Sequence, residues 1–472
     1  MFKRNIIIIR IILWILLSVV LGFFAYLKIV PSGKISYVCD FSEPNYFIGR
    51  LSPEERVEIN ADKAEAEIKG DPVYFSLNTP RRFERAKVFV KFKNTTDFPI
   101  MEIGLLNDKF SYGYDLKPLS NKIIDQLSLV WSVSPGKDGI TLFEREKKYG
   151  SVEKFLSDLP DRNEIALYNY SLKNNFLIEN YDPAEKKNKI DYKFRGPYQF
   201  YTYIKNQELD YVFDFSDLNM NADDDPVEIK VYSSEGEIYS YRAEDNKRES
   251  ARQAEIKMAN LPEGAYRFSV IANDDIITES IDGAQGRFVL INGAWIYGSG
   301  GKNIVLFTDS GTISAKTSNP SSLGKIKIGE DFLDVSETYK QFSMKISPKP
   351  AKIELPKGDI IISGDGVFSF EEEGLFNPKL KNAGANLDIN GEKINYVLAN
   401  YKSPVNSGGW KTAEAEFDLT KAYQENGKYK FLISIPGLKV EEPAKGEAII
   451  KEIKIDLSGT SLIKKLKKYY AE

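Results

Sequence analysis

The sequence predicts a mainly β protein, with an N-terminal transmembrane helix followed by tandem antiparallel β-sandwich domains. Three observations carry that expectation. One apolar run, residues 6–27, opens the chain and has no counterpart in the rest of its 472 residues. Apolar and polar residues then alternate with period two over many short segments. Gly, Pro, Asn and Asp separate those segments, and the 27 Tyr and 28 Phe suit strands better than helical bundles.

The opening run begins at Ile6, ends at Leu27 and is interrupted only by Arg10, whose long stem can snorkel to the headgroups. At about 1.5 Å per residue it is long enough for a hydrocarbon core of about 30 Å. Lys3, Arg4 and Arg10 on its leading side predict a cytoplasmic start and an extracytoplasmic body. The run exceeds a cleavable signal's apolar core, and no small-residue cleavage pattern follows it. Residues 1–30 are therefore read as an uncleaved single-pass signal anchor of the cell membrane, with the lipid bilayer as its partner.

Composition excludes several chemistries. Histidine is absent, which removes the commonest general base and metal ligand together. Ser-His-Asp and Cys-His catalysis and His-bearing zinc sites are excluded with it. Cys39 is the single cysteine, so no internal disulfide can form and a small buried role is expected. The 64 Lys plus Arg balance 68 Asp plus Glu, and no basic groove suggests nucleic acid.

Residues 31–192 read as a first β-sandwich. Its strands fall near 34–39, 72–77, 86–93 and 100–106, with a turn at Asn94-Thr95-Thr96-Asp97. Asn94-Thr95-Thr96 also fits a glycosylation acceptor, although the turn accounts for it. Residues 117–131 are expected as a strand pair. Ser151 opens a short helix with a serine cap and an acidic first turn. Residues 193–292 form a second unit with strands at 199–205, 209–215, 227–232 and 265–272. The third, 293–460, has strands at 302–309, 311–317, 325–328, 352–355, 359–363, 366–370, 413–419, 428–435 and 446–457. Residues 461–472 make a basic tail, read either as a short amphipathic helix or as a frayed end.

Two stretches resemble known folds. Leu261-Pro262-Glu263-Gly264-Ala265-Tyr266 resembles the late hairpin of immunoglobulin-like sandwiches, which implies that fold for 193–292 and no activity. The ending Ile450-Lys451-Glu452-Ile453-Lys454-Ile455, preceded by Tyr429-Lys430-Phe431-Leu432-Ile433, resembles the last strands of galactose-binding-like jelly rolls. That implies a carbohydrate-binding sandwich for 293–460, ending on an edge strand.

Candidate sites are few. Asp217, Asn219, Asn221, Asp223, Asp225 and Glu228 stand at positions 1, 3, 5, 7, 9 and 12 of a loop, the spacing of an EF-hand calcium site. Ala222 replaces the glycine of the sharp turn, and the flanks read as strands. Calcium and a simple polar turn are the two readings; no other cofactor is expected. Trp295, Tyr297 and Trp410 lie beside Gly298, Gly300, Gly301, Gly408 and Gly409, where a loop could present rings to the apolar faces of sugars; a core role for both tryptophans is the rival reading. Glu371, Glu372 and Glu373 supply carboxylates for glycoside hydrolysis, but no partner across a cleft can be assigned, and no catalytic residue is expected.

These features predict a non-catalytic, membrane-anchored extracytoplasmic protein that binds carbohydrate or an envelope polymer. The alternatives are a structural or partner-docking component of an envelope assembly and, less favoured, a glycoside hydrolase with paired carboxylates.

Overall fold

A computed structural model describes residues 2–29, 33–108, 113–172, 176–183, 188–218, 225–244, 251–298, 303–347, 349–384, 387, 393–441 and 444–460. The N-terminal helix Phe2–Ile29 is present, and its side chains are described for residues 10–25. Among the described residues, no helix is long and apolar enough to cross a membrane. This corrects the transmembrane helix of the expected fold. The tail 461–472 lies outside the described residues.

The body is built of strands, but it divides differently from the three successive sandwiches expected. One unit joins residues 1–171 to 380–472, and the other is 172–379. Residues 293–379 and 380–460, expected in one domain, fall in different units.

In the discontinuous unit, a seven-stranded sheet runs Val57–Asn60, Glu65–Ile68, Ala448–Gly459, Arg85–Asn94, Trp410–Asp418, Val405–Ser407, and Gly33–Cys39 also pairs with Ala448–Gly459. The expected edge strand is thus internal. Its Ile450, Ile453, Ile455 and Leu457 are all buried, and a bulge between Ile450 and Glu452 explains the three-residue step before the alternation resumes. A five-stranded sheet of Val73–Leu77, Lys428–Ser434, Ile100–Asp108, Gly113–Asn121 and Gln424–Glu425 closes the sandwich. Val88, Val90 and Phe92 meet Phe75, Ile103 and Phe431 in one core, with the Phe75 and Phe431 rings stacked at 5.2 Å.

A second layer in this unit was not foreseen. Ile165–Tyr168 runs parallel to Lys381–Asn382 and Tyr396–Asn400, and Ile140–Glu144 and Ser132–Pro135 complete the sheet antiparallel. Both its faces are buried, which accounts for the unbroken apolar run Tyr396-Val397-Leu398-Ala399. Helix Lys122–Val130 covers one face through Ile124 and Leu127, where a strand was expected. Asn121 caps it by accepting from the Ile123 and Ile124 amides at 3.0 and 3.1 Å. Helix Val152–Ser157, capped by Ser151, covers the other through Val152 and Phe155.

The 172–379 unit opens with two sets of antiparallel strands. Val227–Ser233, Gly264–Ile271, Tyr198–Ile204 and Val289–Gly298 form one sheet, and Ala251–Met258, Leu209–Asp217 and Ile276–Gly283 form the other. The Tyr266 hydroxyl donates to the Pro262 carbonyl at 2.8 Å, which gives the sequence motif at 261–266 its physical basis. Val289–Gly298 also pairs with Ile360–Ser369, extending the sheet toward Ile304–Thr308 and Ala351–Leu355 around a shared core. Gly293 sits at the bulge in that pairing with φ of 111°, and a Cβ there would lie 2.0 Å from the Ile362 carbonyl. Only glycine fits.

Candidate functional site

The outer face of the seven-stranded sheet presents an ordered array of side chains. Alternation sends Ala413, Ala415, Val88, Val90, Ile453 and Ile455 inward, so their neighbours face out. Register aligns them in rows: Glu416, Lys87, Asp456 and Ser36; then Glu414, Phe89, Lys454 and Val38; then Thr412, Lys91 and Glu452. Lys93 lies beside Ile449, and Trp410 stands one residue past the Lys411–Phe92 pair. Phe89 and Trp410 therefore mark two points of one face. The four-residue offset from Phe89 to Lys93 places them about 13 Å apart along the strands.

Electrostatics on this face are local and balanced. Lys87 reaches Glu414 at 3.0 Å and Glu416 at 3.5 Å, and Lys454 reaches Asp456 at 3.2 Å. The hydrogen bond to Glu414 raises the Lys87 pKa above its usual value, and the same contact lowers that of Glu414. The Phe89 ring lies 5.3 Å from the Lys87 ammonium and 5.2 Å from that of Lys454. Trp410, half-buried, has Lys451 6.0 Å from its ring centre. Sugar rings need this combination: an aromatic plate for their C–H faces and flanking charged or hydroxyl groups for their rims.

Trp410 owes its position to a tight hairpin. Ser407 pairs with Trp410, leaving Gly408 and Gly409 as the two loop residues, with φ of 60° and 80°. Two successive positive φ values are those of a type I′ turn, so the glycines provide geometry rather than slack.

Trp295 and Tyr297 lie in the other unit and are held differently. The Trp295 indole donates to Asp359 Oδ1 at 2.8 Å, and Asn319 donates to Asp359 Oδ2 at 3.0 Å. The Arg195 guanidinium lies 4.4 Å from the Trp295 ring centre and 6.0 Å from that of Tyr297. Trp295 is thus pinned at its polar edge and stacked on by a cation. Sequence reasoning missed Arg195, Asp359 and Phe89; the alternation in 86–93 was the only signal for the last.

Of the calcium candidates, Asn219, Asn221 and Asp223 lie outside the described residues. Asp217 pairs with Arg252 at 3.1 Å, and the same guanidinium donates to the Asp225 carbonyl at 2.8 Å. The Asp225 carboxylate, buried, accepts from Asn273. Glu228 faces Lys230 at 3.2 Å. Among the described residues, no group of three or more acidic or thiol side chains could hold a metal. Glu371, Glu372 and Glu373 are exposed around a turn closed by Gly374 N–H to the Glu371 carbonyl.

No protein family matches the chain, and no curated protein matches it. Among solved structures, the N-terminal CBM22 tandem domain of a Paenibacillus barcinonensis protein is similar at 8% identity, with 54% of this chain and 79% of that one covered and a TM-score of 0.13. The triple jelly roll of an archaeal virus turret is similar at 8% identity over 92% and 99%, with a TM-score of 0.16. The subviral particle of infectious bursal disease virus VP2 is similar at 8% over 93% and 79%, with 0.15. The resemblance is at fold level and identifies no specific protein. At these TM-scores it carries no argument about a ligand.

Proposed function

We propose that the protein is a non-catalytic binding protein that engages a sugar polymer through the outer face of its seven-stranded sheet. The observation that supports this reading is the row geometry that sets Trp410 and Phe89 on one face among Lys, Glu and Thr side chains. An open sheet face suits an extended chain rather than a small molecule. Binding then depends on stacking at Trp410 and on hydrogen bonds from residues such as Lys91, Lys93 and Thr412.

The test is a glycan array probed with the full chain, because the 293–460 fragment lacks Arg85–Asn94, the strand that pairs with both Trp410–Asp418 and Ala448–Gly459. A polysaccharide bound by the full chain and lost in Trp410→Ala supports the reading. Absence of binding, or binding indifferent to Trp410→Ala and Phe89→Ala, sinks it.

A docking role is the second reading. It is favoured by one patch: Leu129 is 83% exposed, Val130 75% and Val133 44%, at the join between helix Lys122–Val130 and edge strand Ser132–Pro135. Crosslinking from this patch to another protein, abolished by Leu129→Glu, supports it.

A further inference from the structure

Within the 172–379 unit, two cations stand close together without a carboxylate in contact. Arg267, on strand Gly264–Ile271, lies 4.0 Å from the Tyr232 ring centre and donates from Nη1 to Gln199 Oε1 at 3.4 Å. Lys379 donates from Nζ to Asn292 Oδ1 at 2.8 Å. Among the described residues, neither forms an ion pair.

The sheet register sets the partners of the two side chains, Gln199 and Asn292, on adjacent strands. Phe200 pairs with Leu290 and Tyr201 with Val289, so Gln199 lies beside Ile291, the residue before Asn292. Adjacent strands are about 4.8 Å apart, so the guanidinium at Gln199 and the ammonium at Asn292 sit one strand and one residue from each other. Although Lys379 is exposed overall, crowding around its ammonium, and then the charge of Arg267, hold its pKa below the usual lysine value, with Asp309 opposing. Asp309 is in electrostatic reach, yet its carboxylate is committed to the Val367 amide at 2.8 Å and to Asn377 at 2.7 Å. Lys230, on the neighbouring strand, is taken by Glu228 at 3.2 Å.

Like charges repel, and here an aromatic ring and two amides hold them in place. An anion between them would remove that cost. The guanidinium is also a planar fork with several donors, of which one meets Gln199. We propose that Arg267 and Lys379 together bind a compact oxyanion, either the carboxylate of a uronic acid or a phosphate group, over strand Tyr198–Ile204 beside Gln199. This site is independent of the Trp410 face, which belongs to the other unit.

The experiment is calorimetric titration of the full chain with sodium D-glucuronate, sodium phosphate and D-glucose at matched ionic strength. Heat is expected from one or both anions and none from glucose, and the tighter anion identifies the source of the group. Loss of one charge-assisted hydrogen bond should weaken binding about tenfold or more in Lys379→Gln and in Arg267→Gln. Lys379→Gln alters an exposed side chain, and an unchanged Tm will show that its fold is intact. The proposal is overturned if neither anion binds, or if Lys379→Gln binds them as tightly as the native chain. Glucose binding lost in Trp410→Ala would report on the other face and leave this result separate.

Discussion

Trp295 and Trp410 are the same residue type in similar glycine-bordered sequence, yet Trp295 is tied at its indole nitrogen to Asp359 and Trp410 stands at the end of a hairpin turn. The difference sets the first expectation. Asp359→Ala removes the acceptor for both Trp295 and Asn319 and should destabilise the 172–379 unit by about 1–3 kcal/mol, read as a lower urea midpoint. A second expectation concerns two carboxyls in the other unit. Burial first, and then Asp71, raise the Glu102 pKa, while the Tyr168 hydroxyl opposes. Burial likewise raises Asp71, against a Ser434 hydrogen bond, the Ile435 amide and Arg56. The folded state therefore favours their protonated forms. Their contribution is full below the unfolded values of about 3.9 and 4.3 and is lost as pH rises through the raised ones. Glu102→Gln should flatten that fall, so urea midpoints compared at about pH 4.5 and pH 7.5 should differ less in the variant than in the native protein. Equal differences in both would refute it. None of these partnerships was legible in the sequence, because Glu102 and Tyr168, or Trp295 and Asp359, meet only through pairing that spacing along the chain does not encode.

The hairpin of Val405–Ser407 and Trp410–Asp418 carries the third expectation. Nothing lies within 4 Å of a Cβ built on Gly408 or Gly409, so any penalty for substitution is one of backbone conformation alone. Asn tolerates positive φ, and Gly408→Asn should leave stability within a few tenths of a kcal/mol. Gly409→Val should cost about 1–3 kcal/mol and weaken polymer binding by misplacing Trp410, both read on the same preparation. Strands with one buried face were well marked in sequence: Arg85–Asn94 and Val73–Leu77 alternate as expected. The layer buried on both faces was not, because alternation vanishes when neither side meets water. Helix Lys122–Val130 was misread as strand for a related cause: in a nine-residue segment, Ile124 and Leu127 are too few to establish a 3.6-residue period, and its start depends on the Asn121 cap.

At the scale of the chain, sequence order suggested beads on a string, and pairing shows an insertion. Short-range patterns say where strands occur and nothing about which distant strand completes which sheet. The partition makes a fourth expectation: residues 172–379 expressed alone should unfold cooperatively, whereas 293–460 should not. A cooperative transition in the latter would contradict the partition. Removing residues 446–472 should unfold the discontinuous unit, since Ala448–Gly459 lies between Arg85–Asn94 and Gly33–Cys39.

That late strand also sets a timetable. Thr95 hydrogen-bonds Glu447, 352 residues further on. At about 5–20 residues per second of synthesis, the early strands wait roughly 20–70 s for their companion, while residues 172–379 can close beforehand. Protease challenge of ribosome-bound chains arrested after residue 440 should therefore spare the middle of the polypeptide and digest its first third. The newborn protein is most in need of a chaperone at the segment made earliest.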